Sequence, residues 1–250
     1  LRIDASAARI GGIVLGDVKG VEISGGTVSS IRERLRYGVN ITDSQDVRMT
    51  GMTITQAYRG VVINRSERIA LVDNRLTGLT SDGIDIGLSR HVLIERNSCR
   101  DFSPTFATFD TNGKRVRDGD HPDCIQAWSR PSAPPTSDLT IIGNTAEGAM
   151  QGIFLGNHTR KGVNDGGFDR VVVRDNRVTV SMPNGIALFA VRGGEIRDNV
   201  VRTVPGAVLP NKRNVAVKAA LRTAGNTDVT MCGNVVPSLP RSPGTERCRD

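Results

Sequence analysis

A short pattern of one small residue followed by alternating aliphatic residues recurs along this chain, and no other feature constrains the fold as strongly. In nearly every copy the first and third residues after the small residue are aliphatic. Alternation with a period of two is typical of a β-strand that buries one face. The copies are Gly38–Ile41, Gly60–Ile63, Gly83–Ile86, Cys124–Ala127, Gly152–Leu155 and Gly185–Leu188.

A second marker is an Asn that follows an apolar run. It lies 14 residues after the small residue in three copies, from Gly60, Gly83 and Gly185. Asn tolerates the left-handed backbone conformation and bonds its own backbone, so it suits a sharp turn between strands. We therefore predict a structural ladder of stacked Asn residues, formed by Asn74, Asn97, Asn144, Asn176, Asn199 and Asn234.

Consecutive repeats are 22 and 23 residues long, from Gly38 to Gly60 and from Gly60 to Gly83. Repeats of this length with two or three short strands and tight turns are typical of a parallel β-solenoid. One coil cannot bury its own aliphatic face, so the coils must stack. The predicted interior column is Val61, Ile84, Ile125, Ile153 and Ile186.

The repeats continue without a linker, which predicts a single domain over residues 1–250. Residues 1–30 are less regular and are predicted to form an N-terminal capping coil. The Pro-rich residues 236–250 are predicted to form a tail that packs on the last coil.

Four cysteines indicate the compartment of the protein. An even count without a Cys-x-x-Cys pair argues against zinc and redox sites and fits an oxidising compartment. Cys232 and Cys248 bracket the tail and are predicted to form a disulfide, and Cys99 and Cys124 are predicted to form a second one. Four buried free thiols are the alternative. The disulfide interpretation predicts a secreted or periplasmic protein.

The charge balance limits the class of partner. Lys and Arg exceed Asp and Glu by 33 to 26, a net charge of +7. This favours polyanionic partners, although solubility alone explains it equally well. No Lys/Arg run and no basic platform with interleaved aromatics is present, so nucleic acid is not a predicted partner. No run approaches the length of a membrane-spanning helix.

Longer spacings mark inserted loops. Residues 100–122 precede the strand that begins at Cys124, residues 129–138 and 156–169 follow that strand and the next one, and a fourth loop lies near residues 203–214. Loops on both sides of one strand column are expected to wall a groove. Function usually lies on loops that a rigid scaffold carries.

The central strand of this groove follows the densest set of reactive side chains. Residues 118–128 read Asp-Gly-Asp-His-Pro-Asp-Cys-Ile-Gln-Ala-Trp and contain the only Trp of the chain. The first half is too polar for a core strand, and the second half alternates. The stretch therefore predicts a turn that leads into a short strand.

Short coils with an Asn turn and a decorated first sheet resemble the pectate-lyase-like superfamily of right-handed parallel β-helix proteins, over roughly residues 10–235. The resemblance implies an all-β, right-handed parallel β-helix. It also implies an activity, because members act mainly on polysaccharides, often uronic acid polymers, as lyases, hydrolases or C5-epimerases.

One local resemblance is sharper, and a second one is weaker. Residues 81–86 (Ser-Asp-Gly-Ile-Asp-Ile) and 122–125 (Pro-Asp-Cys-Ile) are similar to the polygalacturonase pattern NTDGxD…DDCxA, which places Asp82 and Asp123 on two catalytic carboxylates of that family. The chain departs from it with Pro122 at the other carboxylate of the DD pair, Gln151 at the GHG histidine and no RIK counterpart. Residues 120–123 (Asp-His-Pro-Asp) resemble, in a different order, the DPHD motif of alginate C5-epimerases and lyases.

Coils about 4.8 Å apart bring Asp82 close to Asp123, with Asp85 nearby. Like charges at such a distance do not both ionise cheaply. Three arrangements would relieve this repulsion. In the first, one Asp is protonated and acts as an acid; in the second, Asp82, Asp85 and Asp123 hold a Ca²⁺ ion; in the third, Arg59 pairs with one carboxylate. The predicted outward column is Tyr37, Arg59, Asp82, Asp123, Gln151 and Asn184.

Elimination of a uronate chain needs a base for the C5 proton, a cation for the carboxylate and an acid for the leaving oxygen. His121 is the predicted base because its ordinary pKa lies near neutrality. Asp82, Asp120 and Asp123 are the other catalytic candidates; a solvated turn carboxylate is the alternative for Asp120, and packing is the alternative for Trp128. The predicted substrate-binding residues are Arg59, Arg115, Arg117, Gln126, Trp128, Gln151, His158, Arg160 and Lys161.

The sequence thus favours a monomeric enzyme that acts on an acidic polysaccharide by β-elimination or C5-epimerisation. Calcium is the only cofactor that the sequence suggests. Hydrolysis by Asp82 and Asp123 is the second hypothesis. A non-catalytic carbohydrate-binding β-helix is a third, and in that case Asp82, Asp123 and His121 should tolerate Ala without loss of binding.

Overall fold

A computed structural model of the chain describes residues 2–4, 9–10, 12–29, 34–132, 134–156, 166–208, 215–237 and 245–248. Within these ranges the secondary structure is β-strand, and no helix long and apolar enough to cross a membrane is present. The strands are Arg2–Asp4 (β1), Arg9–Ile10 (β2), Ile13–Gly16 (β3), Lys19–Ser24 (β4), Thr27–Val28 (β5), Leu35–Thr42 (β6), Gln45–Thr50 (β7), Thr53–Thr55 (β8), Ala57–Asn64 (β9), Glu67–Val72 (β10), Arg75–Thr77 (β11), Ile84–Gly87 (β12), Arg90–Glu95 (β13), Ser98–Arg100 (β14), Thr108–Phe109 (β15), Arg115–Arg117 (β16), Asp123–Trp128 (β17), Thr136–Ile142 (β18), Thr145–Gly148 (β19), Gln151–Gly156 (β20), Phe168–Arg174 (β21), Arg177–Val180 (β22), Asn184–Phe189 (β23), Val191–Arg197 (β24), Val200–Thr203 (β25), Ala220–Ala224 (β26), Thr227–Cys232 (β27) and Thr245–Arg247 (β28).

Three parallel sheets form the sides of one solenoid. Sheet A has the order β1-β4-β7-β10-β13-β18-β21-β24-β27-β28, sheet B the order β2-β5-β8-β11-β14-β19-β22-β25, and sheet C the order β26-β23-β20-β17-β12-β9-β6-β3. Each complete coil visits sheets C, A and B in turn, as β12, β13 and β14 do. The predicted parallel β-helix is therefore confirmed.

The interior column also agrees with the prediction. In sheet C, Val61 pairs with Ile84, Ile84 with Ile125, Ile125 with Ile153, and Ile153 with Ile186. All five side chains are at most 1% exposed. Aliphatic side chains of similar size pack in flat layers between coils, and their burial drives the stacking.

The Asn ladder connects the coils at the turn between sheets A and B. The Nδ2 group of Asn74, Asn97, Asn144, Asn176 and Asn199 donates to Oδ1 of the next Asn of the ladder, at 2.9–3.1 Å. Each of these five residues is at most 3% exposed. Their hydrogen bonds satisfy buried backbone and amide groups that the turn would otherwise leave without partners.

The predicted left-handed conformation belongs to the residue before each Asn, not to the Asn itself. Its φ angle is positive, as in Asp73 (56°), Arg96 (51°) and Asp175 (58°). That residue reverses the chain, and the Asn side chain then points inward. There it bonds carbonyl groups at the turn, as Asn97 Nδ2 does with Leu71 O at 2.9 Å.

A second ladder, which sequence reasoning missed, lies at the turn between sheets C and A. Ser44 N donates to Ser66 Oγ at 3.1 Å, and Ser66 N donates to Ser89 Oγ at 3.0 Å. The three hydroxyls donate to the carbonyl oxygens two residues upstream. A lone Ser per coil is easily overlooked, although its spacing of 22 and 23 residues follows the repeat.

Both predicted disulfides are present, and the free-thiol alternative is wrong. Cys99 in sheet B is bonded to Cys124 in sheet C of the next coil, with a Cα–Cα distance of 5.6 Å. Cys232 at the end of β27 is bonded to Cys248, which follows β28 on the sheet edge. The first bond lies directly behind Asp123 and closes the loop of residues 100–123.

We expect Asn144→Ala to lower the free energy of unfolding by about 2–4 kcal/mol. The change removes three hydrogen bonds donated by Nδ2 and two accepted by Oδ1, all of them inside the ladder. Chemical denaturation measures the effect. Asn112→Ala is the matched control, because Asn112 is exposed in the turn of the antiparallel hairpin of β15 and β16; it should change stability by less than about 0.5 kcal/mol. Similar changes in the free energy of unfolding for the two variants would contradict a stabilising role of the Asn ladder.

Candidate active site

Asp82 and Asp123 lie side by side on neighbouring coils at the entrance to sheet C. Gly83 N donates to Asp123 O at 2.8 Å, and Asp123 N donates to Asp82 Oδ1 at 3.3 Å. Both residues are only 1% exposed. Their proximity agrees with the prediction that stacked coils bring Asp82 close to Asp123. Asp123 also pairs in register with Gln151, another residue of that predicted column.

Arg59 brings a positive charge to Asp82 and to a third carboxylate, Asp85. Arg59 Nε lies 2.9 Å from Asp82 Oδ2, and Nη1 lies 3.4 Å from Asp85 Oδ2. The Arg59 side chain is one-third exposed (33%), whereas the Asp85 side chain is 5% exposed. We call Asp82, Asp85 and Asp123 the acidic cluster; Arg59 lies between it and solvent.

Burial dominates the protonation of the acidic cluster. It raises the pKa of Asp82 to about 7, with a further increase from the charge of Asp85 and an opposing decrease from Arg59. Burial, followed by the charges of Asp82 and Asp85, raises the pKa of Asp123 well above its ordinary value. Of the three predicted arrangements, the ion pair between Arg59 and Asp82 is present. The raised pKa values favour a protonated carboxyl group in the cluster. The action of such a group as an acid stays a prediction.

Two carboxyl oxygens of the acidic cluster, Asp85 Oδ1 and Asp123 Oδ1, have no hydrogen-bond donor within the described part of the protein. Asp82 Oδ2 has the ion pair with Arg59 Nε at 2.9 Å. Buried polar atoms normally have partners, so two exceptions in one cluster are costly to stability. Groups with such perturbed protonation and geometry are concentrated at functional sites.

The acidic cluster is poorly suited to bind calcium. In the described part of the chain, no group of three or more His, Cys, Asp or Glu side chains has the arrangement of a metal site. The guanidinium group of Arg59 already supplies positive charge to Asp82 and Asp85. Calcium stays an untested prediction, and we derive no chemical step through it.

Trp128 is fixed by the same cluster. Its indole N–H donates to the carboxylate of Asp85, whose pKa is raised by burial and lowered by Arg59 and by this hydrogen bond. Trp128 pairs in register with Gly87, and a β-carbon at Gly87 would collide with the indole ring. The guanidinium carbon of Arg130 lies 5.9 Å from the ring. Trp128 is only partly buried, so its predicted contact with sugar stays a prediction.

The two predicted Gln residues flank the acidic cluster. Gln126 pairs in register with Asp85 and is half-buried on the outer face of sheet C. Gln151 lies beside Asp123 and accepts a hydrogen bond from Asn184 Nδ2. Both amides are therefore close to the carboxyl groups.

The turn before β17 carries His121 on the protein surface. His121 is exposed, and its carbonyl oxygen accepts a hydrogen bond from Ser81 Oγ at 3.5 Å. This contact joins the turn to the residue just before Asp82. Its role as a base stays a prediction.

The other predicted residues of this loop have structural partners. Asp120 Oδ2 accepts from Thr105 N at 2.7 Å, and Asp120 N donates to Thr105 O at 2.7 Å, which closes the base of the loop. This supports the non-catalytic alternative for Asp120. Arg115 and Arg117 are exposed on strand β16, and Arg115 Nε lies 2.9 Å from Asp118 Oδ1. His158, Arg160 and Lys161 lie outside the described residues.

Sequence reasoning missed two aromatic residues on the same face. Phe154 and Phe189 form an edge-to-face pair, with ring centroids 5.8 Å apart and an interplanar angle of 79°. The signal was available, because Phe154 occupies the outward position of the Gly152–Leu155 copy. An aromatic residue is unusual there in a chain with 4% aromatics.

A separate cleft of about 310 Å³ lies on the turn between sheets C and A, away from the acidic cluster. It is lined by the Ser ladder, by the Arg65 and Arg90 side chains, and by Pro134 and Pro135. Ser132, Pro134 and Pro135 of the predicted loop 129–138 thus lie beside earlier coils. The role of this loop as a wall of the groove stays a prediction.

Comparison with known families identifies the class of protein. The family described as "Right handed beta helix region" matches residues 11–201. The chain therefore belongs to the right-handed β-helix family, as the fold predicts. The single-domain prediction for residues 1–250 extends beyond this match and stays a prediction.

Three solved structures are similar to this chain at low identity, and the one with the highest TM-score of the three shares its fold. The A-module of a mannuronan C-5 epimerase from Azotobacter vinelandii is 11% identical with a TM-score of 0.52, covering 100% of this chain and 80% of that one. An alginate lyase from Paenibacillus sp. str. FPU-7 is 14% identical (TM-score 0.39, 99% and 85%), and the Dettilon tailspike protein is 13% identical (TM-score 0.46, 91% and 54%). The chain spans about half of the tailspike. No curated protein matches by sequence.

The raised pKa of Asp82 predicts a pH-dependent stability. The unfolded carboxyl loses its proton near its ordinary pKa of 3.8, whereas the folded one keeps it to about 7. The free energy of unfolding should therefore fall as pH rises between these values. Asn does not ionise, so Asp82→Asn should not show this decrease. The free energy of unfolding of the variant minus that of wild type should therefore increase from acid to mildly alkaline pH, by at most about 4 kcal/mol.

Urea denaturation at both ends of this range measures the change, with the exposed Asp118→Asn as the matched control. A stability difference for Asp82→Asn that stays constant with pH would show that Asp82 ionises alike in the folded and unfolded states.

Proposed function

We propose that the protein is an enzyme that acts on an acidic, uronic-acid-containing polysaccharide bound along the outer face of sheet C. The observation that carries the proposal is the buried acidic cluster beneath the partly exposed Arg59. The cluster supplies protonated carboxyl groups, and Arg59 supplies a cation beside them.

Arg59 suits a substrate carboxylate. Its guanidinium is oriented by Asp82 and Asp85, and one-third of its side chain stays open to solvent. An oriented guanidinium binds carboxylates in a fork geometry that a free side chain must first adopt. The net charge of +7 supports the same choice of substrate class.

The leading reaction is β-elimination. His121 accepts the C5 proton, and Arg59 stabilises the negative charge that develops on the substrate carboxylate. The C5–H electrons form the C4–C5 double bond as the C4–O bond breaks. A carboxyl with a pKa of about 7, such as Asp82, donates its proton to the leaving oxygen near neutral pH. Return of a proton to the opposite face of C5 instead gives epimerisation.

Hydrolysis is the second candidate, favoured by the different environments of Asp82 and Asp123. Burial raises the pKa of both groups, and only at Asp82 does the Arg59 guanidinium oppose that increase. Two carboxyl groups in unlike environments are the arrangement for an acid and a base in glycoside hydrolysis. In this reaction Asp123 protonates the leaving oxygen and Asp82 activates water.

The comparisons and disulfides support the setting. The solved structure with a TM-score of 0.52 is that of a mannuronan C-5 epimerase, a protein that acts on a uronate polymer. Two disulfides support a secreted or periplasmic location. The predicted monomer stays a prediction.

The decisive assay incubates wild type, His121→Ala, Asp82→Asn and Asp123→Asn with a panel of polyuronides and neutral glycans. Ultraviolet absorbance reports the unsaturated uronate, and reducing ends report all chain cleavage. We expect both signals to rise with polyuronides only, and His121→Ala to reduce them by about a hundredfold or more. His91→Ala is the matched control, because His91 is exposed and lies near Asp138.

Reducing ends without the ultraviolet signal would reject elimination and favour hydrolysis by Asp82 and Asp123. If both signals are absent, proton NMR of the recovered polymer tests C5 inversion. An unaltered polymer that still binds wild type and all three variants would assign the chain to non-catalytic carbohydrate binding.

A further inference from the structure

Several aromatic side chains lie on the outer face of sheet C rather than in the core. The chain has only nine aromatic residues, six Phe, two Tyr and one Trp. In the described ranges the buried ones are Phe102 and Phe168. Trp128, Phe154 and Phe189 are instead half-buried on sheet C. A rigid apolar surface on a polar face indicates a ligand with an apolar face of its own.

Phe154 and Phe189 are held in a fixed geometry. Phe154 points outward, because Ile153 and Leu155 on either side of it are buried. Its ring lies flat against Gly156, where a β-carbon would lie 2.5 Å from Phe154 Cε1. The edge of one ring faces the other at a centroid distance of 5.8 Å. The pair is therefore preorganised for a ligand, which lowers the entropic cost of binding.

The aromatic pair is in register with the acidic cluster. Asp85, Gln126, Phe154 and Ala187 occupy one outward column on consecutive coils. Phe154 lies on the coil after that of Asp123, and Phe189 lies one coil further. At about 4.8 Å per coil, the pair is about 5–10 Å along the groove from Asp123. That distance is comparable to the length of one or two pyranose units.

Arg222 continues the column beyond the aromatic pair. It pairs in register with Ala187, the small buried residue that lies between Phe154 and Arg222 in this column. Arg222 is exposed, and no acidic side chain in the described part of the chain pairs with it. Among the described residues the Arg222 guanidinium thus has no acidic partner, and its strand position is the next one in the column after Ala187.

We propose that Phe154, Phe189 and Arg222 form a subsite that binds a uronate unit two sugars away from the unit at the acidic cluster. The apolar C–H face of the pyranose ring packs on the aromatic pair, and its carboxylate pairs with Arg222. The inference rests on the proposed function and makes it more specific. It requires a substrate longer than a disaccharide for tight binding.

Fluorescence titration tests the subsite independently of turnover. Trp128, the only Trp, pairs in register with Gly156 beneath the Phe154 ring and reports ligand at this place. The probes are mannuronate and galacturonate dimers and tetramers, with neutral glucose oligomers of the same length. The variants are Phe154→Leu, Phe189→Leu and Arg222→Ala. Arg202→Ala, exposed on β25 of sheet B, is the matched control.

We expect the Kd of a uronate tetramer to rise about tenfold in each of the three variants and to stay unchanged in the control. Dimer binding at the acidic cluster should be unaffected. Thermal denaturation verifies that each variant remains folded.

Unchanged tetramer affinity in folded variants, with turnover of polyuronides by wild type, would overturn the subsite and leave the proposed function standing. Neutral oligomers that bind as well as uronates, with no effect of Arg222→Ala, would overturn the uronate assignment. A wild-type protein that neither binds nor converts any uronide would overturn both proposals.

Discussion

The coil-to-coil hydrogen bond is the interaction on which the rest of this structure depends. A single coil has no sheet partner within itself, so its backbone groups and its aliphatic face are satisfied only by the coils above and below. The Asn and Ser ladders extend this rule to the turns, where the backbone leaves the sheets. Because the ladders repeat the backbone spacing, they hold the coils in register and keep each outward position above its equivalent.

This register also produces the chemistry. Equivalent positions on consecutive coils are separated by the spacing of two strands, so carboxylates at these positions must be neighbours. Asp82 and Asp123 are neighbours for that reason, and Arg59 reaches Asp82 from the coil before. A fold that stacks residues so closely raises carboxyl pKa values without any special loop, because burial and like charge act together.

The sequence predicted features that repeat and missed features that depend on three-dimensional direction. The aliphatic column from Val61 to Ile186, the Asn ladder and both disulfides followed from spacing. The approach of Arg59 to Asp82 was one of three open arrangements, because spacing does not determine the direction of a long side chain. The left-handed residue before each Asn was assigned one position too late, since several residue types adopt it there. The path of residues 129–135 depends on packing against distant coils, which no local pattern encodes.

Because of the disulfide between Cys99 and Cys124, the scaffold stays covalently joined even if the loop before the acidic cluster is cut. Every peptide bond from residue 100 to residue 123 lies inside the covalent ring that this bond closes. A protease that cuts the exposed hairpin would leave both halves of the solenoid joined beside Asp123. The same ring allows this loop to change in length and sequence during evolution, because its two ends are held in place by sulfur chemistry rather than by the loop itself. The groove could therefore acquire new walls without any change in the coils that carry Asp82 and Asp123.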